Sequence, residues 1–324
     1  CSGIMLAPAG PTFELQECFI SRPKARGITS IGGGCQGILI DRCQFLSSEE
    51  SETVDNRSSI AMNVNSNDAK VRDCRATQFR HFAVMAGQTH LVMGNHFFQG
   101  DGVQNGVRTA GIILQDNFTA SVISGNYVDN CFIEWTNERD PTPAFSGGFS
   151  FSSFSMTDNV FLASAVAPWF SYLVVKPHGS GHFLNGVTVK GNRFRCINGV
   201  ITRAERVDTS FADLNHDRNQ SVFYDGNSYH NVSEHAQNPL VVLHTQNTNA
   251  KTWTIGTSNK LPFESFCQFV DSVALTGDLR NTSNVKVYEN PVGKGRVGSN
   301  EDEFTLEFAS DVRGQIRATV RMDK

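Results

Sequence analysis

Glu134 closes the short apolar run Cys131-Phe132-Ile133-Glu134, and more carboxylates lie near it: Asp116 before, Glu138 and Asp140 after. Two carboxyl groups about 5 to 9.5 Å apart are what glycoside hydrolysis requires, one as proton donor and one as base or nucleophile. Lys176 and Arg203 sit at the ends of two similar apolar runs and can instead pair with Glu134 as a surface charge ladder, so both readings stay open. His178 and His182 bracket Gly179-Ser180-Gly181, and an imidazole can take or give a proton near neutral pH. Trp135 and Trp169, at or near run ends, are candidate faces for a sugar ring to stack on, or rings packed under a loop. Asp140, His178 and Glu205 complete the candidate binding set. Glu205 lies in the polar excursion from Arg203 to Arg218.

These side chains need a scaffold that brings distant residues into register, and the sequence supplies one as a repeat. Aligned on Asn126, the stretch Val122-Ile123-Ser124-Gly125-Asn126-Tyr127-Val128 recurs with Cys18, Cys43, Cys74, Asn95, Asn159, Asn192 and Asn227 at the same position. The successive spacings are 25, 31, 21, 31, 33, 33 and 35 residues, a period that marks a solenoid. An apolar residue stands three positions earlier, as in Val92, Ile123, Met156 and Val189, and an apolar or aromatic one two positions later, as in Phe97, Val128, Phe161 and Phe194. Short alternation of this kind makes strands. One strand per coil, a tight turn at Gly/Asp-Asn and an aromatic returning to the interior predict an all-β chain folded as a right-handed parallel β-helix. The Asn and Cys residues then form a vertical ladder with about 4.8 Å between rungs. From residue 58 a second set of runs appears: Ser59–Met62, Phe82–Met85, Gly111–Leu114, Cys131–Glu134, Tyr172–Val175 and Gly199–Thr202, with 239–244 as a further member. Stacked as a second parallel sheet, their ends bring Asp116, Glu134, Lys176, Arg203, Glu205 and Arg206 to one ridge carrying both signs of charge.

The copies Val92-Met93-Gly94-Asn95-His96-Phe97 and Val189-Lys190-Gly191-Asn192-Arg193-Phe194 resemble the pectate-lyase-like β-helix superfamily, whose coils often read apolar-x-apolar-x-Gly-Asn-x-Phe. The resemblance covers roughly residues 12 to 245 and speaks to fold. The superfamily spans polysaccharide lyases, family 28 glycoside hydrolases, epimerases and phage tailspikes, and fold alone does not choose among them. For the lyases it implies Lys176 and Arg203 as base and carboxylate neutraliser. The cluster of Asp residues that holds calcium in pectate lyases is not evident, and Lys176-Pro177-His178 departs from the epimerases' Asp-Pro-His. For tailspikes it implies an extracellular or virion-associated homotrimer that binds, and can depolymerise, bacterial surface polysaccharide.

Composition narrows the partners. A formal net charge of -4 over 324 residues disfavours nucleic acid, and no apolar run is long enough for a membrane span. The eight cysteines show no zinc spacing, and three stand in the ladder column, so they read as buried thiols and no metal or cofactor is expected. The 24 Phe against 3 Trp suit stacked aromatic columns inside a solenoid. The chain opens at Cys1 without an initiator Met, which reads as a fragment, and a Gly-rich turn is expected at Gly32-Gly33-Gly34. The ladder unit stops after Asn227. The expected division is therefore a β-helix over 1–245 and, over 246–324, a β-rich cap or oligomerisation module that ends in a hairpin of 303–308 against 315–322.

Overall fold

The computed structural model describes residues 2–6, 12–30, 35–100 and 108–324. Cys1 and the turn expected at Gly32-Gly33-Gly34 lie outside the described residues. The chain divides into two compact units, one of residues 1–214 and 226–235, the other of 215–225 and 236–324.

The first unit is a parallel β-helix with three parallel sheets rather than the two expected. The ladder unit is not one strand. Its apolar residue lies on one short strand, the chain bends at the Gly-Asn pair, and the following residue starts another. Sheet A holds Ser2–Leu6, Arg26–Ser30, Ile60–Asn67, His81–Ala86, Ala110–Leu114, Phe132–Thr136, Leu173–Lys176 and Glu205–Val207. Sheet B, before the bend, runs from Glu14–Gln16 through Leu39–Asp41, Lys70–Arg72, Leu91–Met93, Val122–Ser124 and Phe151–Thr157 to Leu184–Lys190. Sheet C, after the bend, runs from Phe19–Ser21 through Gln44–Leu46, Arg75–Thr77, His96–Phe98, Tyr127–Asp129, Val160–Ala163 and Arg193–Cys196 to Ser228–His230.

Register follows from the side chains that face inward. Val92, Ile123, Met156 and Val189 stack on sheet B, each fully buried. Phe97, Val128, Phe161, Phe194 and Tyr229 stack on sheet C, with ring centroids 5.3 Å apart for Phe161–Phe194 and 5.8 Å for Phe194–Tyr229. These columns account for the phenylalanine excess. Between sheets B and C the bend needs a left-handed residue, and Gly125 adopts φ 65° there, as Asp158 does at 57°.

The asparagine ladder is present. Asn126 Nδ2 donates to Asn159 Oδ1 at 2.9 Å and to Val92 O at 3.0 Å, and the same Oδ1 accepts the Asn126 backbone N–H at 3.0 Å. Asn95, Asn159 and Asn192 repeat the pattern, and Asn227 accepts from Asn192 at the last rung. Each buried amide thus satisfies a bend N–H that the sheets leave without a partner. Cys18, Cys35, Cys43, Cys74, Cys131, Cys196 and Cys267 are free thiols; burial pushes Cys74 and Cys267 up to about 12.

The second unit is antiparallel. Leu240–Gly256 pairs with Glu303–Arg321 along nearly its whole length, and Phe269–Leu275, Leu279–Asn281 and Val292–Val297 also pair with Glu303–Arg321. The run at 239–244 is therefore not a coil of the parallel sheet, and residue 245 falls inside a 17-residue strand. The expected terminal hairpin is instead one 19-residue strand. Alternation alone cannot tell two paired strands from one long strand whose halves meet a common partner.

Candidate functional site

Sheet A carries the candidate chemistry on its outward face. Its inward row, Ile112, Ile133 and Leu173, is fully buried. The neighbouring outward row reads Ile113, Glu134, Val174, Arg206 on successive strands. Two residues further along, the row reads Thr136 and Lys176, and Asp208 extends it by donating its N–H to Val175 O at 2.8 Å. The spacing between strands, about 4.8 Å, brings Glu134, Lys176, Arg206 and Asp208 into one cluster that spans three strands.

Glu134 lies between Ile113 and Val174, so its carboxyl is flanked by apolar neighbours on both sides. Burial raises its pKa above the ordinary glutamate value, Lys176 opposes that shift, and the negative charges of Glu138 and Asp208 add to it. Asp208 moves the other way. Burial alone would raise it, but the N–H of Ser210 at 3.1 Å and its hydroxyl at 2.5 Å, helped by Arg206 and Lys176, hold it below its usual value. Two nearby carboxyls pushed in opposite directions are the arrangement that separates an acid from a base.

The other expected residues fall in several places. Glu138 is exposed just beyond Thr136 and accepts a hydrogen bond from Gln115 Nε2 at 3.3 Å. Asp116 accepts the Gly87 N–H, and Asp140 caps Thr142, with Oδ1 2.9 Å from its N–H, so both brace loops beside the cluster. His178 stacks on the exposed ring of Phe211, centroids 4.2 Å apart and 20° from parallel, and the Lys176 ammonium lies 5.3 Å from the same ring. Phe211 is 62% exposed. Trp169 is 60% exposed, but it precedes its sheet A strand whereas Phe211 follows one, so the two rings flank the face from opposite edges.

Trp135 takes no part in the surface. Its side chain is fully buried, it packs against Phe151 and Phe154, and its Nε1 donates to Asp116 O at 2.8 Å. Arg203 and Glu205 are also interior. Glu205 is fully buried on the inward row opposite Leu173, and Arg203 grips it through Nε at 2.9 Å and Nη2 at 2.6 Å while Nη1 reaches Glu234 at 2.7 Å. Burial alone would lower the Arg203 pKa, and the two glutamates outweigh it, so Arg203 stays charged and is unsuited to act as a base.

Sequence reading misses Phe211 and places Arg206 only on the ridge and Asp208 only in the excursion beside it, because the run at Gly199–Thr202 does not form the strand. That strand is Glu205–Val207, which moves Arg206 into the row expected for Ile201 or Thr202. His182 is structural. Its Nδ1 accepts from Ser150 Oγ at 2.7 Å, its Nε2 lies 2.7 Å from Pro143 O, and burial lowers its pKa. It ties the His178–His182 turn to the 143–150 excursion, where Phe145 N–H also donates to Ser180 O at 2.8 Å. Among the described residues no group of three metal-ligating side chains forms, and no helix is long and apolar enough to cross a membrane.

No protein-family model and no curated protein matches the chain. Solved structures do. The tailspike protein gp49 of Pseudomonas phage LKA1 is similar over 99% of this chain and 61% of its own, at 13% identity and a TM-score of 0.43. The tailspike of E. coli bacteriophage HK620, solved with a pentasaccharide, is similar over 99% of this chain and 67% of its own, at 10% identity and a TM-score of 0.40. A mutant of that tailspike gives 12% identity and a TM-score of 0.45, covering 99% and 68% of the two chains. The chain thus spans less than two thirds of the first of these structures.

Proposed function

We propose that the outward face of sheet A is the carbohydrate-binding surface of a spike-type protein that attaches to bacterial surface polysaccharide and cleaves it by hydrolysis. The observation that carries the reading is the pairing of Glu134, held towards its protonated form, with Asp208, held towards its ionised form, on a rigid sheet beside the exposed ring of Phe211. In this mechanism Glu134 gives its proton to the glycosidic oxygen as the C–O bond breaks. Asp208 takes the base or nucleophile role, and water supplies the hydroxyl of the new reducing end. Free buried thiols fit a chain made in a reducing compartment, such as the cytosol of an infected cell, better than a secreted enzyme. The second unit exposes Leu243 (73%), Tyr288 (84%) and Val292 (70%), which supports self-association, and a homotrimer by light scattering is the expected state.

The test is size-resolved incubation with capsular and exopolysaccharides, read by ultraviolet absorbance of unsaturated uronate. Shortened polymer without absorbance, lost in Glu134→Gln and Asp208→Asn but kept in Glu138→Gln, supports the mechanism. The expected loss is on the order of 10² or more in kcat, as for removal of a general acid. New absorbance would mean elimination, with Lys176 as the candidate base. Binding without shortening would mean a purely adhesive spike.

A further inference from the structure

Lys176 and Arg206 are cations without a salt-bridge partner. Among the described residues neither forms an ion pair with a carboxylate or donates a side-chain hydrogen bond. Both are only partly exposed, and Arg206 Nε is fully buried with no partner. A half-buried cation held without a partner costs free energy unless something completes its shell. Of the carboxylates around them, Asp208 is engaged by the Ser210 N–H and hydroxyl and Glu138 by Gln115, while Glu134 acts on both cations through space without forming a salt bridge. Arg203, three residues before Arg206, shows the contrast, since it is closed off by Glu205 and Glu234. Lys176 and Arg206 stand on adjacent strands, and Lys176 touches the edge of the site marked by Phe211. Two long donors set diagonally on adjacent strands, about 7–8 Å apart at the backbone and beside an exposed ring, suit an acidic sugar whose carboxylate takes both cations while its ring lies on Phe211.

We infer that the glycan recognised here is acidic, with a carboxylate-bearing sugar docked at Lys176 and Arg206 against Phe211. This rests on the carbohydrate reading above and deepens it. Engagement of the two cations makes the binding salt-sensitive even though the chain as a whole is anionic. Phe211 supplies ring contact and does not depend on the charge.

The probes are uronate-containing capsular polysaccharides, each beside its carboxyl-reduced neutral derivative, with neutral O-antigen polysaccharides alongside. Binding is measured by calorimetry at two salt concentrations on the whole chain, and each variant is checked by melting temperature. The inference expects an acidic polymer to bind at least tenfold more tightly than its reduced form. Lys176→Gln or Arg206→Gln should each cost about tenfold or more on the acidic polymer, and both should flatten its salt dependence, whereas Arg206→Lys should recover part of the loss. Phe211→Ala should weaken the acidic and the reduced polymer alike. Equal binding of acidic and reduced polymers, or binding of neutral polymers only, would overturn the acidic-sugar inference and leave the carbohydrate reading standing. No binding to any polymer would overturn both.

Discussion

Asn159→Ala tests whether the amide ladder holds the solenoid together or merely decorates it. Asn159 is fully buried. Its Oδ1 accepts the backbone N–H of Asn126 at 3.0 Å and Nδ2 of Asn126 at 2.9 Å, and its own Nδ2 donates to Ile123 O at 3.0 Å and to Asn192 Oδ1 at 2.9 Å. Some partners keep a second bond after truncation. Asn126 Nδ2 retains Val92 O, and Asn192 Oδ1 retains the Asn159 N–H. The Asn126 N–H does not, because the bend leaves it no strand partner. One orphaned buried N–H costs about 1–3 kcal/mol, and the weakened Ile123 carbonyl and the void left by the amide bring the total to roughly 3–5 kcal/mol. Asn227→Ala is the internal control. That side chain is half-buried at the last rung, so water can replace it and the cost falls to about 1 kcal/mol. Urea unfolding followed by far-ultraviolet circular dichroism gives both numbers from the midpoint at constant slope. Asn126→Ala combined with Asn159→Ala should cost less than the sum of the two, because each single change already removes the Nδ2–Oδ1 bond between them. A cost below about 1 kcal/mol for Asn159→Ala, or equal costs at Asn159 and Asn227, would refute the ladder as a source of stability.

Three further outcomes follow from individual side chains. His90 is 1% exposed, and burial, only partly opposed by the Gly87 and Ala86 carbonyls and the Asp68 charge, lowers its pKa from 6.5 to about 4. A base with a depressed folded pKa leaves stability intact above pH 6.5 and removes it as the pH falls towards 4. Unfolding titrations should therefore show a loss of about 3 kcal/mol across that window, and His90→Leu should abolish it. Gly181 has φ 90° and a Cβ there would stand 2.1 Å from Phe145 O, so Gly181→Ala should destabilise the chain by about 3 kcal/mol or more and expose the 143–150 excursion to proteolysis. In the pH profile of the proposed hydrolysis, the alkaline limb belongs to Glu134 and should lie above the usual glutamate range, whereas the acid limb belongs to Asp208 and should lie below the usual aspartate range. An alkaline limb left unmoved in Glu134→Asp would place the acid elsewhere.

The ladder was legible because its chemistry is tied to single residue types. A short amide reaches the next bend and the residue before it takes a left-handed φ, as Gly94, Gly125, Asp158, Gly191 and Gly226 do, so Asn95, Asn126, Asn159, Asn192 and Asn227 mark the coils by identity. Sheets B and C follow from it, because they lie within a few residues of each Asn. That the motif comprised two strands and not one was not legible. A three-residue strand on either side of a bend alternates in hydropathy much as a single strand does.

Sheet A has no such anchor, and this is why the site was half found. Between sheets C and A the chain spends two residues after Asp129, nine after Ala163 and eight after Cys196, so counting from the Asn cannot set its register. Apolar content had to do that work, and at the last coil it offered a decoy. Gly199-Val200-Ile201-Thr202-Arg203 resembles Tyr172-Leu173-Val174-Val175-Lys176 in hydropathy, yet Val200 is 55% exposed and Ile201 bridges to Val232 rather than joining sheet A. The true strand, Glu205-Arg206-Val207, turns a charged residue inward, a choice that alternation argues against. It is tolerable because Arg203 grips Glu205 and Glu234 in turn accepts from Arg203, and those partners come from outside the strand. Arg203 and Glu205, which alternation reads as ridge charges, thus form a buried ion pair, and the same register turns Arg206 outward on the row of Glu134.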